Sequence, residues 1–427
     1  MPDPSWVETA TVGQVRALLR RFRWRLADRI RPPAPARAPP ALQGKQRLRI
    51  GFVVCEPAKW GLASVLEQLQ ADPAFDVGFF PALSDVHLRL PRDARQKEYR
   101  QIRSFFADLG AIWGDLYHQS TDRLISIDTI NCDVVFVQQP WGMQDLPRRL
   151  AGRIRTAYVH YGIAVIKNDQ MQFGLPDFHP FLWRYFLPTQ RHVDAVILSG
   201  GPRPPKMCVT GHPKFDAYLP PALPRDKCLS WPTQNEAQRK RVIFAPHHAL
   251  ETGSLQLGTF AWSGPAMLQI AQAHPKVDFL LRAHPNMALG LSRSHVMNAR
   301  EWCAYRRAWR ALPNADLFEE TPYFDVFRSS DAMITDSGSF LAEYLPTKAV
   351  LIRLERQDSA RLNSFGQTLA AGLYTASNQV DLEAKFKEVI LSGRDSLAQV
   401  RAELVPLLVP FVQPAADKIV AELRGLM

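Results

Sequence analysis

Ile334-Thr335-Asp336-Ser337-Gly338-Ser339-Phe340-Leu341-Ala342-Glu343-Tyr344 is the stretch on which the fold turns. An apolar run stops at Asp336, small residues make a turn, and apolar periodicity resumes from about Ser339 to Leu345, the pattern of a strand feeding a helix. Such a turn offers free N–H groups, two hydroxyls and a glycine that lets backbone approach closely. Thr335, Asp336, Ser337, Gly338 and Ser339 therefore read as a phosphate cradle. Glu343, one helical turn on, is placed to reach a ribose diol. Taken alone, the same residues also fit an ordinary strand-turn-helix capped by Asp336 or Ser337.

On either side of this stretch, three more apolar runs stop at polar or Gly/Pro clusters: RVIFAPHHA, VDFLLRAHP and KAVLIRLE. In Phe279-Leu280-Leu281-Arg282-Ala283-His284-Pro285 the strand alternation puts Arg282 and His284 on one face, and Pro285 ends the pairing. A fixed cation and a tunable donor there suit a leaving diphosphate. A salt-bridged strand end is the plainer alternative. His247 and His248 close another buried strand. Adjacent residues of an extended chain point oppositely, so the expectation is one histidine in the cleft, one structural, and no metal unless the chain turns after Pro246.

Toward the N-terminus RLRIGFVV, FDVGFFPAL, CDVVFVQQP and IRTAYVHYG repeat the theme, so a second parallel sheet covered by helices is expected. Ligands of such sheets sit at the carboxyl ends of the strands. Tyr158-Val159-His160-Tyr161-Gly162 closes one of these runs ahead of Lys167 and Asn168. His160 there can act as a base toward an incoming hydroxyl, or be a hydrogen-bonded structural group. Between the two series lies Val209-Thr210-Gly211-His212-Pro213-Lys214-Phe215-Asp216, in which Gly211, His212, Lys214 and Asp216 line an interdomain crevice or form its hinge. The expected division is 1–44 as leader, 45–215 as the first domain and 216–427 as the second, with the last helix able to pack back on the first.

A chain of 427 residues, 46% hydrophobic and 22% charged, has material for two globular cores. Five scattered cysteines show no zinc spacing and fit a reducing compartment. No window approaches a membrane-spanning length, and no secretion signal is evident, so a cytoplasmic location is expected. The net charge is +11, of which residues 1–44 contribute eight arginines less three acids, or +5. Val12, Val15, Leu19, Phe22, Leu26 and Ile30 form a helical stripe flanked by arginines, a basic amphipathic helix over residues 12–31. It suits an anionic membrane surface at the inner face of the plasma membrane, or its own domain. Nucleic acid is not expected, since the arginines come without stacking aromatics. GxSxG, HExxH and Walker patterns are missing, which argues against a serine hydrolase, a zinc protease or a P-loop enzyme.

The ordered set TGHPKFD, FAPHHAL, LGTF, LRAHPNM and ITDSGSFLAEYL resembles the CDP-glycerol glycerophosphotransferase family over roughly residues 45–375. That resemblance implies a GT-B-like α/β fold, two Rossmann-like domains facing across a cleft. It implies donor-diphosphate contacts at Arg282, His284, Thr335, Asp336, Ser337 and Ser339, and a base at His160, although Tyr161 interrupts the family's histidine-glycine step. The implied reaction moves a polyol phosphate from a CDP-polyol to a glycan or lipid-linked acceptor of teichoic-acid or capsule type, without a cofactor. Two rivals keep the shell: a glycosyltransferase using a nucleotide sugar, and a non-catalytic envelope-assembly binding protein.

Overall fold

Runs of Val, Ile, Leu and Phe bounded by Gly, Pro and acidic residues become strands because branched and aromatic side chains pack well on a pleated, doubly covered surface. The computed structural model describes residues 39–168, 172–199, 206–219, 228, 230–233, 239–251, 255–320 and 323–427. The basic helix expected over residues 12–31 lies outside them.

The first sheet is built from β1 (Leu48–Val54), β2 (Phe75–Pro81), β5 (Val134–Val137), β6 (Arg155–Val159), β7 (Arg184–Leu187) and β8 (Met207–Val209). Its order is β2-β1-β5-β6-β7-β8, and every neighbouring pair is parallel. A two-stranded ribbon, β3 (Tyr117–His118) and β4 (Arg123–Leu124), stands apart from it. The second sheet comprises β9 (Lys240–Ala245), β10 (Val277–Leu281), β11 (Ala315–Leu317), β12 (Ala332–Thr335), β13 (Val350–Leu354) and β14 (Tyr374–Ala376). Its order is β11-β10-β9-β12-β13-β14, again parallel throughout. The architecture is the GT-B-like α/β arrangement of two Rossmann-like sheets.

Alternation along each strand feeds two cores. In β9, Val242 and Phe244 enter one apolar cluster and Ile243 and Ala245 the other. In β1, Ile50, Phe52 and Val54 face one side and Val53 the other. The closing helix Ala415–Arg424 returns to the first sheet, where Ala416, Ile419, Val420 and Leu423 join its core. Arg184 pairs with Glu422 at 2.9 Å, and the Gly44 N–H donates to the Met427 carbonyl at 2.8 Å.

Two of the ties between the lobes bear on the site. After β6 the chain crosses to the second lobe: Asn363 donates from its backbone N–H to Val165 and from its side chain to Ala164, each at 2.9 Å, and the Lys167 N–H donates to Arg361 at 2.8 Å. The second tie is the TGHPKFD segment. Gly211 turns at φ +84°, a left-handed value that favours glycine. His212 donates from Nε2 to the His160 carbonyl at 2.8 Å and accepts the Lys214 N–H at Nδ1, so both of its nitrogens are used. Asp216 accepts the N–H groups of Ala415 and Ala416 at the start of the closing helix, and the Ser64 hydroxyl at 2.8 Å.

Candidate functional site

Register brings the tips of the central strands of the second sheet level: Phe244 of β9 sits opposite Leu281 of β10 and Ile334 of β12. The loop leaving each strand therefore meets the loops leaving its neighbours. The His284 N–H donates to the Pro246 carbonyl at 3.2 Å, and the His247 N–H donates to Asp336 Oδ1 at 2.6 Å. Asp336 also accepts the Thr259 N–H at 2.6 Å and hydroxyl at 2.8 Å. Burial outweighs these three bonds and pushes its carboxyl up to about 6. Asp336 is thus the peg on which the loops after β9 and β12 hang.

The chain does turn after Pro246, so His247 and His248 do not diverge as an extended strand would force. Together with His284 they form one cluster, with ring centroids 4.5 Å apart for His247 and His248, 5.3 Å for His247 and His284, and 3.9 Å for the stacked His248 and His284. Burial, aided by the mutual repulsion of the rings, holds His247 down to about 3 and His284 to about 2. His248 is lowered as well, first by burial and then by Lys59. At neutral pH all three are uncharged.

The ring nitrogens lie within 4.8 Å of one another, a spacing that a metal ion could bridge. The hydrogen bonds favour another ligand. His247 Nδ1 accepts the Ala249 N–H at 3.1 Å, and His284 Nδ1 accepts the Asn286 N–H at 3.0 Å. Each of these neutral rings consequently carries its proton on Nε2, an assignment made from the donors each Nδ1 accepts. A metal needs a bare nitrogen, whereas an Nε2–H is a donor suited to an anion. His248 Nδ1 is buried without a partner.

Arg282, its backbone N–H on the Phe244 carbonyl, lays its guanidinium over Tyr323 at 4.4 Å and Phe318 at 5.1 Å. Nη1 donates to the Glu320 carbonyl at 2.9 Å, while Nε is buried without a partner. Burial draws its pKa below the ordinary arginine value.

The serine-glycine-serine turn is more enclosed than its sequence suggests. Thr335 Oγ1 donates to the Ala245 carbonyl and accepts the Ser337 N–H, Ser337 Oγ lies 3.3 Å from Ser339 Oγ, and both Ser337 and Gly338 are buried. A Cβ on Gly338 would meet Ile166 Cγ1 at 2.9 Å, so the crossing loop of the first lobe covers this turn. Glu343 is also committed. Oε1 pairs with Lys214 Nζ at 2.8 Å and Oε2 accepts the Tyr323 hydroxyl. Burial alone would pull the Lys214 ammonium down, but Glu343 outweighs it and holds the pKa above the usual value.

His160 follows β6 and is 1% exposed, with its ring 5.0 Å from Phe173 and 5.7 Å from His192. Nδ1 donates to the Gly162 carbonyl at 2.6 Å, and Nε2 is bare and buried. Burial pushes this ring down to about 4. The side chain of Lys167 is exposed and Asn168 is half-buried, its carbonyl accepting the Gln172 N–H at 3.1 Å. Two residues of the site carry no assignment from sequence: Thr259, although LGTF belongs to the ordered set, and Lys59, which lies just beyond the first strand.

No family model and no curated protein matches the sequence. Among solved structures, the chain is similar to UDP-GlcNAc 2-epimerase from Neisseria meningitidis bound to UDP-GlcNAc, at 15% identity and TM-score 0.57, over 89% of this chain and 100% of that one. A co-structure of S. aureus MnaA with UDP gives 13% identity and TM-score 0.57 over 89% and 98%. The Methanocaldococcus jannaschii UDP-GlcNAc 2-epimerase in complex with UDP-GlcNAc and UDP gives 14% and 0.51 over 89% and 99%. At such identities the likeness is one of fold.

These findings overturn the expected kinship with CDP-glycerol glycerophosphotransferases, and with it the CDP-polyol donor and the teichoic-acid or capsule product. The physical reason lies in what the shared motifs do. LRAHP and ITDSGS shape strand ends, and TGHPKFD braces the lobes, so their presence follows the fold and does not specify a donor.

Proposed function

We propose that this chain is an enzyme acting on a nucleotide-activated sugar, with its diphosphate received by Arg282 and the imidazoles of His247, His248 and His284. The observation that carries this reading is the clustering of three neutral rings, two bearing Nε2–H donors, on the adjacent tips of β9 and β10, with Arg282 two residues before His284 and near enough for its charge to help depress that ring. Carboxyl ends of such strands are where ligands of open α/β sheets bind. The sugar-nucleotide class is supported by the solved structures of the same fold that hold UDP-GlcNAc or UDP.

When the bond between sugar and diphosphate breaks, negative charge collects on the departing phosphate oxygen. Fixed donors in a water-poor site offset that charge, and removal of one such donor typically costs about 10²–10³ in rate. Neutral imidazoles add a proton-coupled contribution: an approaching anion raises their pKa, so a ring can take up a proton as the diphosphate settles. Thr335, Asp336 and Ser337 shape the loops beneath these donors. His160 serves as a positioning group, joined through its carbonyl to His212 and through its ring to Gly162.

Thermal unfolding with UDP, UDP-GlcNAc and other UDP-linked sugars tests the reading, because a ligand bound only by the native state raises its stability, by about 2.7 kcal/mol at a hundredfold excess over Kd. UDP and at least one UDP-sugar should raise Tm by several degrees. Proton NMR of that sugar incubated with the protein then separates epimerisation from transfer. Unchanged Tm with every UDP-linked ligand would end the proposal.

A further inference from the structure

Facing the imidazole cluster, the first lobe presents a set of side chains that the nucleotide grip does not use. Glu56 follows β1 and is held from every side. Gln138 Oε1 accepts the N–H groups of Cys55 at 2.7 Å and Glu56 at 3.0 Å, and Gln138 Nε2 donates to the Glu56 carbonyl at 2.7 Å. The carboxylate is fixed too, Oε1 by Gln139 Nε2 at 2.8 Å and Oε2 by Lys59 Nζ at 2.7 Å. About a quarter of each charged side chain stays exposed, 26% for Glu56 and 27% for Lys59.

A capping role does not account for this clamp. Glu56 precedes the short helix Pro57–Lys59, yet its side chain makes no cap bond there. Gln139 is 1% exposed, and its Oε1 is buried without a partner although both its amide hydrogens are taken, by Glu56 and by the Trp141 carbonyl. Half-buried Trp141 packs edge-on to Tyr161 at 5.1 Å, and Lys59 Nζ lies 5.7 Å from the indole and 5.8 Å from the phenol ring. Lys59 is near enough to the second lobe for its charge to help depress both His248 and His284.

We infer that Glu56, Lys59, Gln139 and Trp141 form a sugar-hydroxyl subsite that selects the carbohydrate half of the substrate, an inference that rests on the nucleotide-sugar reading above. A polyhydroxylated ring has apolar C–H faces and hydroxyl edges. An indole face meets the first, and an immobilised carboxylate accepts from the second without paying to order itself. Both oxygens of the Glu56 carboxylate are already held in place, by Gln139 and Lys59, which suits them to hydroxyl recognition. The subsite determines which sugar is retained, while the second lobe holds the diphosphate common to all.

Calorimetric titration of wild type, Glu56→Gln and Trp141→Ala with UDP and with UDP-GlcNAc tests this. Wild type should bind UDP-GlcNAc at least tenfold more tightly than UDP. Both substitutions should shrink that preference to within about twofold, with Kd for UDP unchanged; the UDP arm also certifies that each variant is folded. Equal affinity of wild type for both ligands, or variants that keep the tenfold preference, would defeat the subsite alone. A wild type that binds neither ligand defeats the nucleotide-sugar reading and the subsite with it.

Discussion

Each lobe gathers three histidines, in the second at two strand tips and in the first around His160 at the tip of β6, and the lobes treat them in opposite ways. In the second lobe His247, His248 and His284 stack on one another at the mouth of the sheet, two with Nδ1 spent on backbone N–H groups and Nε2–H left to donate. In the first lobe His160, His179 and His192 are each at most 3% exposed, each with a bare or unpartnered Nε2, among Tyr158, Phe173 and Tyr185. The same residue at the same end of a parallel sheet is thus a donor in one lobe and an interior group in the other. Position in the fold does not assign the role, and neither does the bond at Nδ1, since His179 Nδ1 also accepts a backbone N–H, from Leu175 at 3.0 Å; the depth of burial of the ring decides it.

The sharpest attack on this comparison is at the joint between the lobes. Glu343→Ala strands the Lys214 ammonium, whose side chain is 9% exposed, without its partner. Breaking a buried pair from one side costs about 3–5 kcal/mol, which urea unfolding should register. A cost under about 1 kcal/mol, the range of exposed pairs, would mean that water already reaches this one, and that the lobes are held by the crossing loop and closing helix instead.

Next in size is Arg282→Ala. If the second lobe is the anion side, turnover of a UDP-sugar should fall about 10²–10³-fold, the usual effect of deleting one such donor. Steady-state release of UDP measures it. A variant within threefold of wild type would leave Arg282 as a packing group over Tyr323 and Phe318.

The smallest effect concerns the buried histidines. Folded His160 titrates at about 4, below the ordinary 6.5, because burial disfavours its charged form. The unfolded chain therefore binds a proton that the folded one refuses. Stability is fully present above pH 6.5 and is lost as pH falls toward 4, by about 2 kcal/mol from this residue at pH 5. Urea unfolding at pH 7 and 5 should show the drop, reduced by about that amount in His160→Gln. An identical drop in the variant would mean that His160 is solvated, and the contrast between lobes would dissolve.

The fold was legible where strands are long and apolar. RLRIGFVV, FDVGFFPAL, RVIFAPHHA, VDFLLRAHP and KAVLIRLE all become strands of five to seven residues. β7, β8, β11 and β14 escaped because segments of three or four residues carry little periodicity to stand out. At the site, the strand ends that carry Arg282, His284 and Asp336 were legible, and in the sheet β10 and β12 flank β9. The pairing of His247 with His248 was not, because a strand pattern cannot announce the turn after Pro246. Glu56 drew no attention either, since its clamp comes from Gln138 and Gln139, more than eighty residues away in the chain.

Alternation of apolar and polar residues acts within a few positions along the chain, and that was enough to specify two parallel sheets and the strand ends that carry polar groups. Which of those groups meet, which ring nitrogen bears a proton and which turn lies covered by Ile166 depend on register between distant strands and on burial. These emerge only when the chain is folded, because hydrogen bonds and desolvation act between neighbours in space. The sequence likewise left open the nucleotide and the group it carries: an arginine or histidine at a strand tip answers to phosphate charge, and phosphate charge is the same whatever is attached to it.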